Sequence, residues 1–71
     1  MAESVYKFIE LVGTSPESFE KAASAAVAQA AKSVRDLRVA EVSQLDLALE
    51  DGKVKSYRAK VKLSFKVENR G

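Results

Sequence analysis

Hydrophobic and polar positions alternate most clearly near the end of the chain. Between residues 57 and 67 every second residue is apolar, and the positions between them are polar or basic. A period of two predicts a β-strand with one buried face and one solvated face. The apolar positions are Tyr57, Ala59, Val61, Leu63, Phe65 and Val67, and the basic row between them contains Arg58, Lys60, Lys62 and Lys66.

Two earlier segments also have the pattern of strands. Residues 5–12 (VYKFIELV) are rich in β-branched and aromatic residues, carry apolar side chains on both faces and stop at Gly13. Residues 37–50 (LRVAEVSQLDLALE) form a longer candidate strand, in which three leucines share one face. Asp51 and Gly52 follow this segment, and that dipeptide is typical of a two-residue hairpin turn.

A helix is predicted between the first two strands. Ser15 can cap the first free amides of this helix, and Pro16 suits its first position. Glu17 is an acid in the first turn, where it interacts favourably with the positive end of the helix dipole. Apolar residues then recur at spacings of three and four up to about Arg35, which is the period of an amphipathic helix. Because alanine dominates this stripe, the helix should pack close to the sheet. The stripe contains Phe19, Ala22, Ala23, Ala26, Val27, Ala30, Val34 and Leu37.

The order of these elements predicts an α+β fold in a single domain over residues 1–71. The helical crossover leaves the first two strands parallel, and the hairpin makes the third antiparallel to the second. If the third strand lies between the other two, the result is a β-α-β-β subunit with a three-stranded antiparallel sheet packed on one helix. The long edge at residues 37–50 would then expose unpaired backbone groups unless something covers it.

Composition adds a second argument for partner subunits. A chain of 71 residues buries only about 60% of its unfolded surface, so it usually needs disulfides, a metal or oligomerisation. There is no cysteine or histidine, which excludes disulfides and the commonest transition-metal ligand. We therefore expect a homo-oligomer. No segment approaches the roughly 20 apolar residues of a membrane span, so we expect a cytoplasmic protein without a membrane partner.

The charged residues limit the possible functions further. Twelve basic and ten acidic residues give a net charge of +2. No aromatic residue interleaves with the basic row of the third strand, and nearby acids offset its charge, so we expect no nucleic-acid partner. No constellation of side chains supports catalysis, and a non-enzymatic function is predicted. Asp46 and Glu50 could hold calcium or magnesium if symmetry joined several subunits, or could simply pair with the basic strand.

The chain resembles the dodecin family over roughly residues 4–68. The most specific string is ELVGTS at residues 10–15, where a strand ends in a glycine turn, and the ending SFKV at residues 64–67 is also typical. Dodecins are small β-α-β-β subunits that form a hollow shell of twelve copies, and flavin-binding members hold flavins in pairs near subunit interfaces. The resemblance implies a homododecamer that stores or sequesters a small ligand or ion and is not an enzyme.

The positions that match the family's ligand site differ from those of flavin-binding members. Val39 stands where a tryptophan stacks on the flavin, two residues before Glu41, and Arg58 stands where a glutamine bonds the ring's polar edge. Ring stacking contributes about 1–3 kcal/mol, and arginine offers no hydrogen-bond acceptor. The resemblance therefore implies Val39, Glu41 and Arg58 as ligand-site positions, with flavin stacking disfavoured. Calcium or magnesium is the alternative, since dodecin-like proteins that lack the tryptophan resemble metal-binding members.

Overall fold

The computed structural model describes residues 3–67 and contains three strands and one helix. Strand β1 spans Tyr6–Ser15, helix α1 Phe19–Ala31, strand β2 Leu37–Glu50 and strand β3 Lys53–Lys66. The strands form one sheet in the order β1-β3-β2, with antiparallel pairing throughout. The predicted β-α-β-β subunit is therefore confirmed. Among these residues, no helix has the length and apolar character that a bilayer crossing requires.

The helix begins three residues later than the sequence predicted. Ser18, and not Ser15, is the N-cap, because its Oγ accepts a 3.0 Å hydrogen bond from the backbone N–H three residues further on. Strand β1 continues through Gly13 to Ser15, whose Oγ accepts instead from the backbone N–H of Glu17 at 3.0 Å. Ser15 thus closes a local turn, and this turn places Pro16 and Glu17 before the helix.

The helix also ends earlier than the predicted Arg35. Its last residue is Ala31, and the chain then turns through Asp36, whose φ of 58° is left-handed and cannot continue a right-handed helix. Val34 and Leu37, which the spacing had assigned to the helical stripe, therefore lie beyond it. Leu37 still packs against the core, but from the first position of β2.

The core is small and lies between one side of α1 and the central strand. Gly13 of β1 lies directly beneath the helix, because a Cβ atom built at this position would be 1.9 Å from the carbonyl oxygen of Ala22. The alanine-rich stripe and this glycine let the two backbones approach closely, as the composition of the stripe predicted. The buried apolar residues are Ala22, Ala26, Ala30, Ala59, Val61 and Leu63.

The β2–β3 hairpin projects beyond both the helix and β1. Its turn has Asp51 and Gly52 at φ 54° and 74°, as expected for the predicted two-residue turn. A strand of 14 residues is about 46 Å long, whereas a helix of 13 residues is about 20 Å long. Because β1 pairs with β3 only as far as Tyr57, residues 48–56 form a two-stranded arm, the hairpin arm. Its Leu49 and Val54 are exposed.

The two faces of the sheet differ in character. The helix face carries the buried apolar residues of β3, and the open face, turned away from α1, carries the basic row. The register places acidic residues of the outer strands beside this row, as the sequence suggested. Three consecutive rows across the open face are Glu10–Lys62–Glu41, Val12–Lys60–Gln44 and Thr14–Arg58–Asp46.

Candidate functional site

An apolar groove runs between α1 and the helix face of β2. It exists because α1 packs mainly on β1 and β3 and leaves most of β2 uncovered. Val42 and Leu45 on β2 remain 48% and 50% exposed as a result. Contiguous apolar surface of this kind marks an interaction site. The groove has a volume of about 590 Å³ and is lined by Phe19, Glu20, Ala23, Ser24, Val27, Ala28, Val42 and Leu45.

The outer edge of β2 lies beside this groove. In the part of the chain that the structure describes, β2 pairs with β3 alone, so one side of a 14-residue strand has no strand partner. Unpaired backbone groups along an edge are a template for another chain. The edge and the groove together give this side of the subunit both the hydrogen-bonding groups and the apolar surface that a partner subunit requires.

The three ligand-site positions implied by the resemblance lie on the open face but do not meet within one subunit. Val39 is opposite Ser64 and is 60% exposed. Arg58 lies on β3 six residues before Ser64, so Val39 and Arg58 are about 20 Å apart along the sheet. Glu41 lies between them, opposite Lys62. A compact ligand would therefore contact Val39 and Arg58 together only if they came from different subunits.

Arg58 already has a partner on its own subunit. Its Nε donates a hydrogen bond to Oδ1 of Asp46 at 2.7 Å, and the register places the two residues opposite each other. Both side chains are a little over 40% exposed, so water screens the pair and its contribution to stability is at most about 1 kcal/mol. The pair also bears on ligand binding, because Asp46 occupies Nε of Arg58 and places a negative charge beside the guanidinium. This charge disfavours an anionic ligand at that position.

The two predicted cation ligands, Asp46 and Glu50, each lie beside a positively charged side chain. Asp46 pairs with Arg58, and Glu50 lies 3.7 Å from Nζ of Lys55. Within residues 3–67, no three acidic side chains of the subunit come close enough together to hold a metal ion. A hard cation needs several oxygen ligands, so a site built from these carboxylates would require contributions from more than one subunit.

Sequence reasoning missed one aromatic residue on the open face. Phe8 is 61% exposed, and Nζ of Lys62 lies 5.7 Å from the centre of its ring. It belongs to the row Phe8–Ser64–Val39, so an aromatic ring lies across the central strand from Val39. The signal in the sequence was that Phe8 alternates with the other apolar residues of the first strand, so that it lies on the face that pairs with the polar row of β3. That signal was not recognised because both faces of the first strand were apolar enough to be covered.

Comparison with known proteins gives a consistent result. A family model described as Dodecin matches residues 5–68. The calcium dodecin of Mycobacterium tuberculosis is 48% identical over 64 residues, which are 90% of this chain and 90% of that protein. The dodecin of Thermus thermophilus is 41% identical over 64 residues, which are 90% of this chain and 93% of that protein. Neither name is that of an enzyme.

Solved structures agree with the sequence comparison. The dodecin of Streptomyces coelicolor superposes with a TM-score of 0.89 at 36% identity, covering 99% of this chain and 100% of that one. The crystal structure of the M. tuberculosis calcium dodecin, described as having a novel calcium-binding site, gives a TM-score of 0.81 at 48% identity and covers 96% and 97% of the two chains. One solved variant of the T. thermophilus dodecin has a tryptophan replaced by phenylalanine, whereas this chain contains no tryptophan.

Proposed function

This chain belongs to the dodecin family, and from that premise we propose that it forms a cytoplasmic, non-catalytic homododecameric shell that stores or sequesters a small ligand or ion at subunit interfaces. The observation that carries this proposal is the apolar groove beside the unpaired edge of β2. A subunit that leaves Val42 and Leu45 half exposed has an incomplete core, and further copies of the chain complete it.

Calcium is the first candidate ligand. The similarity to a calcium dodecin at 48% identity supports it, and so does the absence of any tryptophan that could stack on a flavin. The carboxylates of β2, Asp46 and Glu50 in particular, are the proposed ligands, with each cation shared between subunits. Glu50 is the more available of the two, because its contact with Lys55 is longer than the bond from Arg58 to Asp46.

Calcium is expected to raise the melting temperature of the assembled protein. A ligand at 100 times its Kd stabilises the folded state by about 2.7 kcal/mol. Glu50→Gln should weaken calcium binding by about tenfold, equivalent to about 1.4 kcal/mol, whereas Glu17→Gln, an acid outside β2, should leave it unchanged. Calorimetric titration of the protein stripped of metal with a chelator measures the calcium affinities, and thermal melts with and without calcium measure the shift in melting temperature. Absence of binding heat and of a thermal shift would exclude calcium.

A flavin is the second candidate, favoured by the row Phe8–Ser64–Val39. This row presents an aromatic ring and an aliphatic side chain on the open face, both more than half exposed. An aromatic surface of this kind can stack on a planar ring. The departures at Val39 and Arg58 make this an atypical flavin site, and the ring of Phe8 supplies the aromatic contact that Val39 lacks.

Restoring the two family residues should increase flavin affinity. The double variant Val39→Trp with Arg58→Gln adds a stacking surface worth about 1–3 kcal/mol and a hydrogen-bond acceptor. Riboflavin fluorescence should be quenched at a concentration roughly tenfold lower than in the unmodified protein. Val54→Trp, on the hairpin arm, is the control for nonspecific stacking. Equal quenching by the control, or no gain in the double variant, would show that the shape of the site and not these two side chains limits flavin binding.

A further inference from the structure

The charges of the open face are unevenly compensated. Lys62 has an acid on each side of it, Glu10 on β1 and Glu41 on β2. Lys60, in the next row, lies between Val12 and Gln44 and has no acid opposite it on either strand. The open face is therefore balanced or acidic around Lys62 and basic around Lys60.

Asp46 supplies the negative charge of the next row, Thr14–Arg58–Asp46. The residue opposite Arg58 on β1 is Thr14, so Asp46 is the one acid of the described strands that lies opposite this guanidinium. Arg58 and Lys60 project from the same face at i and i+2, about 7 Å apart. Without Asp46, two adjacent cationic groups and the amide of Gln44 would present hydrogen-bond donors to one small area of the open face, which is the chemistry that phosphates and carboxylates bind.

We propose that Asp46 determines the charge selectivity of this surface: by holding Arg58, it disfavours ligands that carry a phosphate or carboxylate group there and leaves the surface to cations or uncharged ligands. The inference rests on the proposed function in one respect, namely that a small ligand binds to the open face in the assembly. It deepens that proposal by specifying the charge of the ligand, and it makes Asp46 a specificity-determining residue and not only a partner in a surface ion pair.

The energetics allow one carboxylate to have this effect. The Asp46–Arg58 pair is solvated and contributes little to stability, so its removal should not endanger the fold. Asp46 has one bond, to Nε of Arg58, whereas a phosphate in its place can meet Arg58 and Lys60 together. We therefore expect an affinity change of about tenfold for an anion that replaces Asp46. Removing Asp46 should therefore change ligand selectivity much more than it changes subunit stability.

Calorimetric titration of the assembled protein with inorganic pyrophosphate at low ionic strength tests the proposal. The variant Asp46→Ala should bind pyrophosphate about tenfold more tightly than the unmodified protein. Glu10→Ala is the matched control, since it removes one negative charge from the same face but from the row of Lys62. Adding Arg58→Gln to Asp46→Ala should abolish the gain. Asp46→Asn, which keeps the shape of the side chain, serves if the alanine variant does not assemble.

Two results would overturn the proposal. One is that neither Asp46 variant gains affinity for pyrophosphate, and the other is that Glu10→Ala gains as much, because the effect would then come from net charge alone. A second measurement compares riboflavin with flavin mononucleotide, which differ by one phosphate, and Asp46→Ala should shift the ratio of their affinities towards the phosphorylated ligand. The calcium titration of the unmodified protein does not depend on the pyrophosphate or the flavin measurement. Failure of the proposed function is therefore distinguishable from failure of this inference.

Discussion

Replacing Gly13 with alanine is expected to destabilise the subunit by about 3 kcal/mol or more, at or above the upper end of the usual cost of overpacking. The added methyl group would be 1.9 Å from the carbonyl oxygen of Ala22 and 3.1 Å from the backbone nitrogen of Ala26. These atoms belong to the helix backbone, so no side-chain rotation can relieve the clash. Relief would require α1 to move away from the sheet and expose the small core that the close approach creates.

This loss of folding free energy is large for a protein of this size. A chain of 71 residues has a free energy of unfolding of about 4–11 kcal/mol. Urea denaturation followed by circular dichroism should show a much lower midpoint for Gly13→Ala. Gly52→Asn is the control, because a Cβ at Gly52 meets no atom within 4 Å and asparagine tolerates the left-handed backbone of this turn. A Gly13→Ala midpoint equal to that of the control would mean that the helix does not lie so close to β1.

Introducing a charge into the apolar groove is expected to dissociate the assembly. Leu45 is half exposed in the isolated subunit, so Leu45→Glu should leave the fold of the subunit largely intact. If another copy covers the groove, however, the glutamate would be buried there without a partner, at a cost of several kcal/mol for each interface. Size-exclusion chromatography with light scattering should then show monomers or small oligomers at micromolar concentration.

The control for this experiment introduces the same charge elsewhere. Gln29 is exposed on α1 and does not line the groove, so Gln29→Glu should retain the mass of the full assembly. Circular dichroism of Leu45→Glu separates dissociation from unfolding. A Leu45→Glu protein that elutes at the mass of the unmodified assembly would place the subunit interface away from this groove, and the proposed shell would then need a different contact.

The sequence was sufficient to predict the elements and their order because each has a strong periodic signal. The alternation of β3 and the Asp51-Gly52 turn specify the hairpin, and the structure has both where they were expected. The start of α1 was not predictable in this way, because Ser15 and Ser18 are both suitable caps. The structure shows that Ser15 is used in the turn that ends β1, and this choice depends on tertiary packing as well as on local sequence.

The pairing of residues at the candidate site could not be predicted, because it depends on β-bulges. A regular hairpin that continued the pairing of Glu50 with Lys53 would place Asp46 opposite Tyr57, on the helix face. The register shifts by one between Ala48 and Leu49, and Asp46 is therefore opposite Arg58 on the open face. Neither the alternation nor the turn dipeptide contains information about this shift. Residue types indicated which side chains could bind a ligand, but not which of them neutralise each other.

The position of β3 also has a consequence for how the protein is synthesised. Both other strands pair with β3 and not with each other, although β3 follows them in the sequence. While a ribosome is making the chain, β1, α1 and β2 therefore have no sheet to join until residues 53–66 have emerged. Their apolar side chains remain available to chaperones and proteases throughout that time. A product that stops before β3 lacks the central strand, so it cannot form the sheet of the subunit.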